Sequence, residues 1–445
     1  MQQIFALATF YYALNGDVWR APHRQNYLSY AHPECNWGSL FTNRCDDEGK
    51  FIRLGVEGSP ELRNGSIPAE VAMFTSLEWL SVVDTGLAGN LVDVLPTELA
   101  LMTTLQVFRF FTNQLSGTLP TYIGDLTELT SVGLRENLLT GPIPAAIGAL
   151  TNLETLSLHD NALTGTIPSE IGALTQLSRL WLESNALIGS IPTEIGALTQ
   201  LAHSGLFNNA LTGPIPSDIR ALTQLSYLEL DNNALIGSIP TEIGALTQLF
   251  RLAFINNVLI GPIPSEIGNV SSLETMALYD NILTGILPIE LGLCSLLTYL
   301  GLHKNYLTGS IPSVIGEMSL LERLSLSSNL LTGTIPTTLG MLLQVKGMWL
   351  GSNNLSGSLP SEIANLSSLQ ILHLSYNKDI FGAIPSELAL LTSLQELSIY
   401  NTSLSGTVPS QLCMQEPFQN AWLDCSLVIC PAQCNCTCCD KVPCP

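Results

Sequence analysis

The chain has 445 residues, 46% hydrophobic and only 12% charged, a composition that excludes an intrinsically disordered protein. Its formal net charge is −21, which excludes nucleic acid and an anionic membrane surface as partners, because both need clustered Lys and Arg. No run reaches the roughly 18 apolar residues of a membrane span.

The opening MQQIFALATFYYAL lacks the basic first segment and small-residue cleavage site of a signal peptide. Ile4, Leu7, Ala8, Tyr11 and Leu14 fall at helical spacing, which predicts an amphipathic capping helix stopped by Asn15–Gly16. The chain thus reads as a mature or trimmed segment, with an N-terminal capping region over residues 1–50 that holds Cys35 and Cys45.

From 51 to 411 one period organises the sequence. A Gly recurs every 24 residues from Gly117 to Gly357, each followed three residues later by Pro. Gly65 and Gly89 precede this run and Gly382 and Gly406 follow it, giving about fifteen units. The segment NALIGSIPTEIGALTQL appears twice without change, at 185–201 and 233–249. Within a unit, ETLSLHD (154–160) alternates apolar and polar residues, the period of a strand with one buried face. Leu156 and Leu158 are expected inside, and Thr155, Ser157 and His159 outside. Asn161 then begins a turn, and an Asn recurs at that phase from Asn113 to Asn353. A short amide there bonds neighbouring turn backbones and is expected to form a ladder inside the coil. Next comes Ile–Pro, with Pro suited to a first helical position, and then an acid suited to the positive helix end. Ten of the fifteen units carry that acid, from Glu70 to Glu387. One unit cannot bury its own leucines, so neighbours must stack.

The pattern L-x-x-L-x-L-x-x-N-x-L-x-G-x-I-P-x-x-I-G-x-L-x-x resembles the plant-type extracellular leucine-rich repeat of receptor-kinase ectodomains and polygalacturonase-inhibiting proteins. The resemblance implies an α/β right-handed solenoid with a parallel sheet on the concave face and short helical turns on the convex face. NGDVW (15–19) and CNWG (35–38) look like that family's N-terminal cap, which implies a Cys35–Cys45 bridge, although the gap before Cys45 is longer than usual. It further implies ligand recognition in general, without choosing a ligand.

Where the units differ, information concentrates. The outward strand positions hold His159, His203, His303 and His373, Trp79, Trp181 and Trp349, and Phe111, Phe207, Tyr227, Tyr279, Tyr299 and Tyr400. Carboxylates Asp160, Glu183, Glu229, Asp231 and Asp280 cluster in the middle, flanked by Arg109, Arg135 and Arg179 on one side and Arg251, Lys304 and Arg323 on the other. The predicted ligand surface is a mixed stripe centred on 159–303. Its members are His159, Asp160, Arg179, Trp181, Glu183, Phe207 and Tyr227, then Glu229, Asp231, Arg251, Tyr279, Tyr299, His303 and Trp349, exposed aromatics being common anchors for a partner. A metal at His159 and Glu183 has no evident third ligand. The Glu229–Asp231 pair has no pocket to exclude water, and no catalytic motif appears, so neither metal nor cofactor is expected and the protein is read as no enzyme.

Cys294 stands alone where sibling units have Leu and reads as core. The segment 412–445 forms a cysteine-rich cap or tail with Cys413, Cys425, Cys430, Cys434, Cys436, Cys438, Cys439 and Cys444. Disulfides are favoured there over soft-metal binding, with no pairing assigned. Sequons at Asn64, Asn269, Asn354, Asn365, Asn401 and Asn435 agree with a secreted, glycosylated protein at the cell surface or in the extracellular matrix. The leading expectation is a recognition module for a protein, peptide or glycan. The alternatives are a structural component that self-assembles through its flanks or tail, and an inhibitor of a wall-degrading glycosidase.

Overall fold

A computed structural model of the protein describes residues 6, 9, 10, 13, 14, 44–46, 50–58, 65–432 and 434–438. It divides into two units, Met1–Leu225 and Ser226–Pro445.

In the first unit the strands Phe51–Glu57, Trp79–Val83, Val107–Arg109, Ser131–Gly133, Thr155–Ser157, Arg179–Trp181 and His203–Gly205 lie side by side in parallel. The register follows the sequence period: Thr155 stands opposite Arg179, and Arg179 opposite His203. Alternation does the sorting. Leu156, Leu158, Leu180 and Leu182 are fully buried, each contributing about 1.5–3 kcal/mol of apolar burial. Their neighbours Thr155, His159 and Trp181 face outward. Arg44–Cys45 pairs antiparallel with the first long strand.

The second unit repeats the device from Tyr227–Glu229 and Arg251–Ala253 through Gly347–Trp349 and Ile371–His373 to Glu396–Ser398. The parallel ladder then continues into the cysteine-rich segment, with Asn420–Leu423 and Cys436–Cys438.

The asparagine ladder forms as the sequence suggests. In each coil the amide carries the turn of its neighbour. Asn137 Oδ1 accepts from Leu115 N–H at 3.0 Å, while its Nδ2 donates to the carbonyls of Phe110, Leu134 and Arg135 at 2.8–3.1 Å. Asn377 extends the series beyond Asn353. Each ladder Asn is preceded by a residue in the left-handed region, such as Thr112 at φ +56° and Lys304 at φ +54°.

Beyond the turn, the L-x-G-x-I-P segment is more ordered than a turn. Ala88–Asn90, Gln114–Thr118, Leu138–Gly141 and Ala162–Leu163 form a second, short parallel ladder in the first unit. Thr332–Thr334, Asn354–Gly357, Asn377–Ala383, Thr402–Thr407 and Val428–Ile429 do so in the second. The recurring Gly turns the chain here: Gly141 has φ +72°, and an added Cβ would meet Thr118 Cγ2 at 2.7 Å.

The helical turns are 3-10, for example Ser169–Ala173 and Thr193–Ala197. Pro168 does not take the first helical position. It is the extended cap before it, at φ −68° and ψ 141°, and Glu170 falls in the first turn as expected. The Gly of the Ile–Gly pair has a packing cause: a Cβ on Gly172 would meet the Glu194 carbonyl oxygen on the next turn at 2.7 Å.

At the N-terminus Ala6, Phe10 and Leu14 are fully buried at four-residue spacing, and Leu14 N–H donates to the Phe10 carbonyl at 3.1 Å, as in a helix. Of the predicted stripe only Leu14 is among the described residues, and it is buried; Ile4, Leu7, Ala8 and Tyr11 lie outside them. So do Cys35, Cys439, Cys444, Asn64 and the cap segments 15–19 and 35–38. Cys45 is disulfide-bonded. Cys413 pairs with Cys434, Cys425 with Cys438 and Cys430 with Cys436. Cys294 is a buried free thiol, pushed by burial up to about 11, whose Sγ lies 3.4 Å from the Ile267 carbonyl.

Candidate functional site

The outward strand positions of the two units carry different chemistry. At the start of the first unit, the guanidinium carbons of Arg53 and Arg109 lie 4.0 and 4.4 Å from the centre of the Trp79 ring, and Arg135 lies 4.4 Å from that of Phe111. These are cation–π stacks between adjacent strands. Further along, His159 Nδ1 is 3.2 Å from Ser157 Oγ and 3.7 Å from Glu183 Oε1, with Trp181 edge-on at 6.1 Å. Burial is the main effect on His159 and lowers its pKa, so it is neutral at pH 7. Arg179 and Asp160 are exposed and Phe207 half-buried.

In the second unit most of the predicted charges satisfy one another. Arg251 Nε is 2.6 Å from Glu229 Oε1, and Lys304 Nζ is 3.1 Å from Asp280. Asp231 differs from its expected exposed place: it is 9% exposed and accepts from Ile255 N–H at 2.7 Å. Glu229 and Asp231 are therefore each tied to a structural partner. Tyr227 packs on Phe250 at 5.6 Å, and Tyr279 stacks on His303 at 4.1 Å. His303 Nδ1 is also 3.0 Å from Ser325 Oγ. Tyr299 lies over Gly301, where any Cβ would strike its hydroxyl.

An outward recess lies elsewhere in this unit. A hollow of about 560 Å³ is lined by Trp349, His373, Tyr376, Tyr400 and Trp422, with Ser327, Ser328, Gly351, Ser352, Ser375 and Ser398 between them. Trp349, His373, Ser398 and Trp422 form one row across four parallel strands. Both indoles stand nearly perpendicular to the imidazole, at 6.5 and 6.0 Å. His373 Nε2 lies 3.3 Å from Glu396 Oε2, yet burial, the larger effect, lowers its pKa and keeps it neutral at pH 7. Tyr400 is buried and pushed up to about 12, first by burial and then by its hydrogen bond with Tyr376. Of the predicted stripe only Trp349 lines this hollow. The remainder divides between the units, His159 to Phe207 in the first and Tyr227 to His303 in the second. Trp422 was missed because it follows the last consensus unit, whereas Tyr376 holds the same left-handed turn position as Asp160 and Asp280 of the stripe and lies outside its span of 159–303.

Among the described residues, one group has metal-ligand spacing, Cys430, Cys434 and Cys436, and all three sulfurs are in disulfides. Sequon residues Asn269, Asn354, Asn365 and Asn435 are exposed, and Asn401 is half-buried.

A Leucine Rich Repeat family model matches residues 152–174 and 320–342. No curated protein matches the chain. Among solved structures, it is similar to the ectodomain of the Arabidopsis thaliana receptor kinase GASSHO1/SCHENGEN3 in complex with CASPARIAN STRIP INTEGRITY FACTOR 2. The identity is 31% over 84% of this chain and 47% of that one, with a TM-score of 0.70. The chain thus spans about half the length of that structure. The plant peptide hormone receptor RGFR1 in complex with RGF2 is 29% identical over 89% of this chain and 72% of that one, with a TM-score of 0.72. A leucine-rich-repeat protein of Leptospira interrogans is 31% identical over 86% of this chain and 95% of its own, with a TM-score of 0.67.

Proposed function

The chain belongs to the leucine-rich-repeat family, and from that premise we propose that it is a non-catalytic extracellular recognition module whose ligand seats in the aromatic hollow of the second unit. The observation that carries the reading is the row of Trp349, His373 and Trp422 over small residues, a recess that the paired charges around Glu229 and Asp280 do not offer. Ligand sites are concave and largely apolar with a few polar groups, and this hollow has that character. The two plant structures it is similar to hold a peptide hormone or a named integrity factor, which supports recognition as the general role. Disulfides at Cys45 and in 413–438 support an oxidising, extracellular setting. In this reading, residues 1–50 and 412–445 cap the coils of 51–411.

The test uses two baits against an extracellular extract, the wild type and a Trp349→Ala/Trp422→Ala variant with matching circular dichroism. The expected result is that the principal bound component is lost from the variant. Equal capture by both baits removes the hollow as the site.

A second reading, self-assembly through a flank, is favoured by one observation. Ile260, Ile282 and Ile286 on the second ladder are 49%, 40% and 63% exposed, and Ile260 and Ile282 stand opposite each other. It predicts a concentration-dependent sedimentation coefficient that Ile282→Lys abolishes.

A further inference from the structure

The lining of the hollow points to one class of ligand. It contains no Lys, Arg, Asp or Glu, and its histidine is neutral at pH 7. A charged ligand would lose its hydration there and find no cationic or acidic group in the lining, the nearby Glu396 carboxylate already facing His373 Nε2 at 3.3 Å. What the hollow does offer is of two kinds. Two indoles and an imidazole provide apolar ring surface. Ser327, Ser328, Ser352 and the two tyrosines provide hydroxyls that both donate and accept. In the floor, Ser375 and Ser398 are hydrogen-bonded to each other.

We propose that this hollow binds a neutral saccharide, one or more uncharged hexopyranose units of a glycan, with the sugar's C–H face against Trp349 and Trp422 and its hydroxyls on the serine and tyrosine rim. The proposal rests on the reading of the hollow as the ligand site. A pyranose has both surfaces in one rigid ring, an apolar face and a rim of uncharged groups that donate and accept. A peptide's backbone could use the same hydroxyls, but nothing here fixes its termini or charged side chains.

The sequence has built the aromatic positions with care. Trp349 reaches its place by lying across Gly347, where any Cβ would strike the indole. Between His373 and Trp422 the row holds only Ser398, and that small side chain leaves the gap into which Trp422 approaches the imidazole at 6.0 Å. Gly347 and Ser398 are thus positioning residues for the two indoles.

The experiment is titration calorimetry with tryptophan fluorescence on the full chain. The probes are neutral β-1,4-glucan, mannan and galactan oligosaccharides, an oligo-uronate, and uncharged Ser/Pro-rich peptides. At least one neutral oligosaccharide is expected to bind and to shift the fluorescence, with an affinity unchanged between about 50 and about 500 mM salt. Trp422→Ala is expected to weaken binding about tenfold, and Trp422→Phe, which preserves packing, much less. Gly347→Ala is expected to weaken it as well, with an unaltered melting curve. If no neutral saccharide binds, or if binding ignores Trp422, the proposal is overturned. If an uncharged peptide binds instead and depends on Trp422, the saccharide falls while the hollow stands as the ligand site. If no probe of either kind depends on Trp349 or Trp422, the hollow falls too.

Discussion

Asp231 occupies an outward strand position, yet it is 9% exposed, and burial pushes its carboxyl from 3.8 up to about 6. The Ile255 N–H bond and the charge of Arg251 pull the other way, and Glu229 adds to burial. For an acid raised in the folded state, the native protein binds more protons than the unfolded chain between pH 3.8 and about 6. The penalty of charging Asp231 is therefore full above about pH 6 and disappears as pH falls toward 4. Asp231→Asn keeps an oxygen for Ile255 and removes the charge, so it should stabilise the protein at pH 7 by up to about 3 kcal/mol and by almost nothing at pH 4. Urea titrations at the two pH values check this, and an equal effect at both would refute it. Thr112 is a second departure, a β-branched residue held at φ +56°. Asn tolerates that region better, so Thr112→Asn should raise stability by about 1 kcal/mol despite the loss of an exposed bond from Thr112 Oγ1 to Glu136. Neither feature was legible. The left-handed position is filled by Thr, Glu, Asp, Ser, Asn, Lys and Tyr in different coils, so no residue type marks it.

The coil itself was more legible, because its elements repeat a physical requirement. Asn281 illustrates it: 6% exposed, its Oδ1 accepts from Leu259 N–H at 3.1 Å and its Nδ2 donates to the carbonyls of Phe254 and Leu278 at 2.8 and 3.1 Å. Asn281→Leu matches its size but orphans these backbone groups, at about 1–3 kcal/mol for each one left unsatisfied. The expected outcome is a loss of several kcal/mol with fast hydrogen exchange at the Leu259 amide, and unchanged exchange there would sink the account. The inward leucines and the Asn ladder could be read because period and chemistry coincide in one residue type. The second ladder could not. Several of its segments, such as Ile188–Ser190 (Ile, Gly, Ser) and Ala210–Thr212 (Ala, Leu, Thr), are only three residues long, too short and too mixed for an alternation to register. The Pro cap was misplaced by one position for a similar reason: a proline fixes φ near −65° in either place, and the sequence alone does not say which.

For the molecule as a whole, reading the site by counting aromatic and charged residues led to 159–303, where they are most numerous. In the folded chain Glu229 and Arg251, and Asp280 and Lys304, answer one another, while the recess forms where serines thin out the row between Trp349 and Trp422. Numbers of outward side chains were visible in the sequence; the space between them was not. This difference can be tested with the period. Residues 137–184 are two complete repeats, and their removal joins Glu136 to Asn185, a left-handed residue to a ladder Asn as in every intact coil. The shortened protein should fold in phase, because each coil bonds only its neighbours. It lacks His159, Trp181 and Glu183 but keeps every residue of the hollow. Its melting temperature should fall modestly, with fewer buried leucines, and its ligand affinity should equal that of the full chain. A deletion of 40 residues from the same start is out of register and should not fold. Should the in-phase deletion fold well and yet lose the ligand, the binding surface extends into the first unit, and the wide stripe, not the hollow alone, is what the ligand meets.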